Sequence, residues 1–168
     1  MEMKDKIQWC IDHHKNTNHF YDKYLPYEFH LRMVIQVCYD FRSLSPSLYI
    51  SELACWGHDL IEDCRVSYND CKECLCSDAA DIIYAVTNEK GKNRKERAND
   101  KYYLGIETTP GALFVKLCDR IANVQYSKLT KSKMFEMYKN ENEKFKDFLY
   151  DEDYKEMFDY LDSLFENL

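Results

Sequence analysis

The chain is poor in the residues that break helices. It has 4 glycines and 3 prolines in 168 residues. Turn-rich sandwiches and barrels need such residues at regular intervals, so a sequence this short of them points away from an all-β architecture. No strand-like alternation of useful length, internal repeat or linker is visible either. A run of 18 apolar residues is also missing, which leaves no candidate membrane span. The start, Met1-Glu2-Met3-Lys4-Asp5, lacks the apolar core of a signal peptide. A cytoplasmic protein with no membrane partner is the expectation, and its 8 cysteines are then reduced thiols. Excess positive charge is absent as well. The net charge is −7, which argues against non-specific binding to a nucleic-acid backbone.

What is present favours helices. Hydrophobic residues make up 45% of the chain, enough for a sizeable core. Leu, Ile, Glu, Lys and Tyr recur at helical spacing. The expectation is one all-α domain over residues 1–168, a bundle of roughly eight helices. Lys4 to about His14 reads as the first helix and Asn16 to Tyr24 as a loop. Pro26 is placed at the first helical position of the second, since its missing N–H is an orphan there. Ser45-Pro46 reads as the cap and first residue of a helix running to about Asp63. Ser67-Tyr68-Asn69-Asp70 fits a capping box, and Ser77-Asp78 caps another helix. Thr109-Pro110-Gly111 opens an apolar helix through Val124. Lys131 to about Tyr150 is amphipathic, with Met134, Phe135, Met137, Tyr138, Phe145, Phe148 and Leu149 as its core side. The last helix runs from about Asp153 to Leu168. Cys10, Cys38, Cys55 and Cys118 fall on apolar faces and read as small buried residues. Cys71-x-x-Cys74 has metal-ligand spacing, but no second pair or nearby His completes a zinc set, and Cys76 adds none.

One stretch is chemically loaded. His58-Asp59-Leu60-Ile61-Glu62-Asp63 puts four ionisable groups into a run that otherwise reads as a buried helix. On a continuous helix His58, Asp59 and Glu62 share a face, with Asp63 on the neighbouring edge. Buried unpaired charges cost several kcal/mol, roughly, so something must pair them, and a divalent metal would. His30 and Asp119 are two further potential ligands on other helices. This oxygen-and-nitrogen set suits Mn or Fe with open positions better than a closed structural zinc; Mg and Zn are the remaining candidates. Each residue taken singly has a plainer reading: a solvated polar stripe, a helix cap, or an Asp119–Arg120 ion pair. Asn88 to Arg97 is the most basic segment, with Lys90, Lys92, Arg94, Lys95 and Arg97 within eight positions. It reads either as a solvated loop or as a phosphate-binding one.

In order and spacing, His30, then His58-Asp59, then Asp119 resembles the HD-domain metal-dependent phosphohydrolases. Three blocks narrow the likeness. Pro26-Tyr27-Glu28-Phe29-His30 is similar to the Pro-Tyr-x-x-His of RelA/SpoT-type hydrolase domains and small alarmone hydrolases. His58-Asp59-Leu60-Ile61-Glu62-Asp63 resembles their His-Asp-x-x-Glu-Asp. Val115-Lys116-Leu117-Cys118-Asp119-Arg120-Ile121-Ala122-Asn123 resembles their Val-Lys-Leu-Ala-Asp-Arg-x-x-Asn. The likeness covers residues 14–128, and the helices of 129–168 lie outside it. It implies that His30, His58, Asp59 and Asp119 bind one Mn ion, and that Glu62 and Asp63 position and activate water. It also implies that Asn123 faces the nucleoside and that Lys92, Arg94, Lys95 or Arg97 hold the pyrophosphate. The implied reaction removes the 3′-pyrophosphate of ppGpp or a related alarmone. The chain departs from the pattern at His14-Lys15-Asn16-Thr17-Asn18-His19, where the family's Gln and base-stacking Arg are missing. Lys23, His19, Phe20 and Tyr21 are the residues available to replace that Arg, and Lys does not stack as a guanidinium does. The base is therefore open, and two other functions stand beside the first. One is hydrolysis of nucleoside mono- or triphosphates; the other is a non-catalytic nucleotide- or partner-binding protein on the same fold. Self-association is left open.

Overall fold

The architecture follows from one helix that is apolar on nearly every side. In a computed structural model that describes residues 1–166, Ala112–Leu129 forms α9. Phe114, Val115, Leu117, Cys118, Ile121, Ala122 and Val124 are all fully buried. A helix hydrophobic all round belongs in the middle of a bundle. Around it lie α1 (Met3–Asn16), α2 (Tyr27–Asp40), α3 (Leu48–Gly57), α4 (Leu60–Asp63), α5 (Tyr68–Cys74), α6 (Ser77–Val86), α7 (Arg94–Arg97), α8 (Asp100–Thr108), α10 (Lys133–Leu149) and α11 (Lys155–Glu166). Helices α2, α3, α6, α8, α10 and α11 all touch α9. Among the described residues eight helices have nine residues or more, and α4, α5 and α7 are shorter. The one sheet described is a two-residue ladder, β1 (Phe20–Tyr21) antiparallel to β2 (Leu25–Pro26). The protein is all-α. No helix among the described residues is long and apolar enough to cross a membrane.

Several element ends differ from the expectation. Pro26 is the cap of α2 rather than its first residue. Ser45 closes a 3₁₀ turn over Arg42–Leu44 and donates to Ser51 Oγ at 2.8 Å, so α3 starts two residues later, behind Ser47. Ser77 is the first residue of α6, not its cap. The capping box at Ser67 and Asp70 forms as expected, with both reciprocal bonds made. Asp100–Thr108, capped by Asn99, is helical too. On α10, Met134 and Phe148 are exposed, and the core side is Phe135, Tyr138, Phe145 and Leu149. The expected end of the last helix, at Asn167 and Leu168, lies outside the described residues. Cys10, Cys38, Cys55 and Cys118 are fully buried.

The helix expected to run from Ser45 to Asp63 is two helices. Its break falls at His58 and Asp59, where Asp59 leaves helical geometry at φ −104°, ψ 3°. Gly57 precedes the break. A Cβ there would come within 2.6 Å of Ile83 Cδ1 and 3.1 Å of Leu75 Cδ1. Glycine lets the end of α3 sit against these two side chains without displacing them. Gly111, which caps α9, sits at φ 83°, a left-handed conformation that glycine adopts without strain.

The C-terminal helices are tied to the rest by charge as well as by packing. Arg120 on α9 is 5% exposed. Its Nη1 donates to Glu141 Oε2 at 3.1 Å and its Nη2 to the Tyr138 carbonyl at 3.3 Å. The guanidinium lies over the rings of Tyr138 and Phe145. Glu141 also accepts from Arg94 Nε at 2.7 Å. Burial works to raise the Glu141 pKa, but Arg94 and Arg120 hold it below its ordinary 4.5. A carboxylate with a depressed folded pKa contributes stability above the unfolded value, and that contribution is lost as pH falls through the folded one. Glu141→Gln is therefore expected to cost about 1–3 kcal/mol at neutral pH, less than a fully buried pair because Glu141 reaches solvent. The gap between variant and wild type should close as pH drops below the ordinary carboxylate range, which urea melts across pH would reveal.

Candidate metal centre

Four elements bring the four predicted ligands together. His30 comes from the first turn of α2, His58 from the C-cap of α3, Asp59 from the N-cap of α4, and Asp119 from the middle of α9. The helix break is what allows His58 and Asp59 to serve the same point. On a continuous helix, adjacent residues diverge by about 100°. Here Asp59 Oδ2 lies 2.8 Å from His58 Nε2 and 3.8 Å from His30 Nε2. The two Nε2 atoms are 3.2 Å apart. Asp119 Oδ1 is 3.3 Å from His30 Nε2 and 3.6 Å from His58 Nε2. The donor atoms of His30, His58 and Asp119 all lie within 4.8 Å of one another, a spacing that could hold a metal ion.

The chemistry of the donor set fits a cation. His58 Nδ1 donates to the Cys55 carbonyl at 2.9 Å, which leaves the Nε2 lone pair facing the centre. His30 and His58 are 1% and 3% exposed, so water does not separate their rings. Two buried lone pairs at 3.2 Å repel unless a proton or a metal lies between them. Burial pushes the His58 pKa down, yet the carboxylates of Asp59 and Asp119 more than offset this and raise it. Asp119 is held ionised against its burial by Lys116 and by the two histidines. A field that raises the proton affinity of a buried imidazole is one that holds a cation.

A second layer fixes the carboxylates. Tyr27 Oη donates to Asp59 Oδ2. Lys116 Nζ donates to Asp119 Oδ2 at 2.9 Å. Asn123 Nδ2 donates to Asp119 Oδ1 at 2.6 Å, and Asn123 Oδ1 accepts from Tyr21 Oη at 2.9 Å. Tyr21 stacks on His30 with ring centres 4.7 Å apart. Asn123, implied by the likeness to face a nucleoside, thus has both ends of its amide engaged beside Asp119. Sequence reasoning assigned no role to Tyr27 or Lys116. Both lie within the quoted blocks, but what they touch depends on how α2 and α9 are set against α4.

Glu62 and Asp63 are placed differently from the four ligands. Beyond the break, Glu62 is exposed, and its carboxylate accepts from Asn88 Nδ2 at 3.0 and 3.1 Å. Asp63 Oδ2 lies 3.7 Å from His19 Nε2. Burial, then the charges of Asp59 and Glu62, push the Asp63 carboxyl up to about 7. Arg97 partly counters this rise, so its charge reaches Asp63. Arg94 pairs with Glu141, while Lys92 and Lys95 are exposed on either side of it. Lys23 is exposed at the tip of the β1–β2 hairpin, with φ 71°. A cleft of about 870 Å³ opens elsewhere, between α3, α6 and α8, and none of the four ligands lines it.

Compared with known proteins, the chain matches no family model. A search of curated proteins gives no match either.

Proposed function

We propose that the chain is a metal-dependent phosphohydrolase of the HD type, acting on the 3′-pyrophosphate of an alarmone nucleotide. The observation that carries this reading is the grouping of His30, His58 and Asp119, with Asp59 Oδ2 2.8 Å from His58 Nε2 and each carboxylate held by a further donor. The four would hold one Mn ion. Such an ion lowers the pKa of water it binds, making hydroxide accessible near neutral pH, and polarises a phosphoryl oxygen.

The chain's own residues supply the rest. Tyr27 and Asn123 keep Asp59 and Asp119 aimed inward. Lys116 offsets part of the carboxylate charge. Glu62 and Asp63 lie next along the chain and take the proton from the attacking water. The water oxygen bonds to phosphorus, the bond from phosphorus to the 3′ oxygen breaks, and that oxygen leaves with a proton. The products are pyrophosphate and a nucleoside 5′-diphosphate. Arg97, with Lys92, Lys95 and Arg94, lines the edge where phosphates arrive, a local excess of positive charge in an acidic protein.

A second reading has its own observation. Of the residues available to replace the missing base-stacking Arg, His19 is stacked on Tyr27 at 3.9 Å and Tyr21 on His30. Phe20, 52% exposed, is the aromatic face left for a base. A phenyl ring stacks on any base, so adenine alarmones, or other nucleotides altogether, fit as well as guanine.

Purified protein with Mn should therefore be assayed against ppGpp, pppGpp, their adenine analogues and a panel of nucleoside triphosphates. Pyrophosphate and orthophosphate are read separately. Pyrophosphate from an alarmone is the expected result. Orthophosphate alone would move the activity to other nucleotides. Metal binding with no turnover on any substrate would favour a binding protein.

A further inference from the structure

A second cluster of metal-ligating groups lies outside the site just described. His14 ends the buried face of α1, His19 sits in the loop after it, and Cys64 follows α4. His14 Nδ1 is 3.0 Å from His19 Nδ1 and 3.1 Å from Cys64 Sγ. All three donor atoms lie within 4.8 Å of one another. His14 and Cys64 are 1% and 5% exposed, and only His19 opens towards solvent.

We infer that His14, His19 and Cys64 form a second metal site, for a zinc-like divalent cation, that clamps the loop after α1 onto α4. Four observations support the inference. One imidazole nitrogen, His14 Nδ1, faces two partners but can make one good hydrogen bond, because it either carries a proton or accepts one. A shared cation satisfies all three atoms. Bonds of about 2.0–2.3 Å in a tetrahedral shell set donors roughly 3.4–3.6 Å apart, so the two distances from His14 Nδ1 need to open by only a few tenths of an ångström, roughly. The thiol with two imidazoles is a softer set than the carboxylate-rich centre and selects zinc over manganese. Finally, the far nitrogen of His19, Nε2, faces the Asp63 carboxylate at 3.7 Å, the arrangement that orients a ligating imidazole.

The backbone is shaped to make the cluster. Asn18 at φ 51° turns the chain so that His19 N–H donates to the His14 carbonyl at 3.0 Å, bringing the second ring back over the first. Arg65, at φ 56°, ends α4 directly after Cys64. A left-handed Arg is uncommon and persists where surrounding contacts over-determine it. The cluster also reaches the first site. Both imidazoles stack on the Tyr27 ring, His14 at 4.3 Å and His19 at 3.9 Å, and Tyr27 Oη holds Asp59. A cation here would therefore fix Tyr27 from behind. The inference does not depend on the phosphohydrolase reading.

The test uses the full chain, stripped with a chelator and titrated with Co²⁺ alone. The first site has no sulfur ligand, so a thiolate-to-cobalt charge-transfer band in the near ultraviolet reports a cysteine-containing site, and its loss in Cys64→Ser assigns it to the second site rather than to Cys71, Cys74 or Cys76. Wild type and Asp119→Ala should both show the band, and Cys64→Ser should lose it together with one equivalent of bound metal. His19→Asn changes a half-exposed residue and does not threaten folding; it should need about tenfold more cobalt or beyond to reach the same band. A wild-type protein without the band, a band that survives Cys64→Ser, or an unchanged titration in His19→Asn would each overturn the site.

Discussion

Asp59→Ala is expected to abolish hydrolysis and metal binding at the first centre together, whereas Glu62→Gln is expected to abolish hydrolysis with metal retained. Asp59 lies within 3.8 Å of both buried imidazoles. Without it, His30 and His58 face Asp119 alone, and metal affinity should fall by about 100-fold or more, since loss of even an outer partner costs roughly 10–100-fold. Glu62 touches neither imidazole. Its carboxylate holds Asn88, the first residue of the basic segment. Glutamine keeps an oxygen for that bond and removes only the ionised carboxylate, so the variant separates proton handling from loop anchoring. Loss of a general base costs about 10²–10⁴-fold in rate. Pyrophosphate release and metal content, measured on the same samples, check both. A Glu62→Gln enzyme of full activity would leave Glu62 as an anchor and pass the proton to Asp63.

Phe158→Ala is expected to destabilise the whole molecule by about 3–5 kcal/mol, the usual cost of emptying a buried aromatic site. Phe158 is 1% exposed and packs beside Phe145 of α10, with ring centres 6.2 Å apart, and Tyr150 at 5.2 Å. These residues lie beyond residues 14–128, the stretch on which the proposed phosphohydrolase reading rests. If residues 129–166 were a separate appendage, their loss of packing would leave the metal centre intact. The buried contacts of α9 with α10 and α11, and the Arg120–Glu141 pair, argue for one cooperative unit. Denaturant melts followed by circular dichroism and by release of bound metal should therefore shift together. Two separated transitions would divide the chain into two domains.

Candidate ligands could be picked out in the sequence because a divalent metal demands particular side chains, and those chains are rare on apolar helices; of the four, the structure sets His30, His58 and Asp119 close enough together to hold an ion. The break that lets two of them act together was harder to read. Periodicity runs without interruption through Trp56, Leu60 and Ile61, and a continuous helix is its natural reading. The one available signal was Gly57, since an isolated glycine in a helical pattern marks a close approach or a helix end. The partner of Arg120 was read from its neighbour as Asp119, whereas the structure pairs it with Glu141. Glu141 is one of many acidic residues on an amphipathic helix, and only the packing of α10 on α9 selects it. His14, His19 and Cys64 were equally hidden. His14 closes the first helix, His19 lies in a loop with no period, and nothing in the spacing of Cys64 ties it to either. Cys71, Cys74 and Cys76 belong to neither metal-ligating group among the described residues.

The Glu141 clamp has a consequence for occupancy. Arg94, one of the cations on the edge where phosphates are proposed to arrive, already carries a counter-ion. An anionic ligand that uses Arg94 must displace Glu141, so its apparent affinity is reduced by the fraction of molecules in which Arg94 is free. The displaced carboxylate keeps its bond to Arg120, so the exchange leaves no buried charge alone. Ligand and Glu141 are then competitors for one guanidinium. Removing the competitor should tighten anion binding even as it loosens the fold, so here stability and affinity pull in opposite directions.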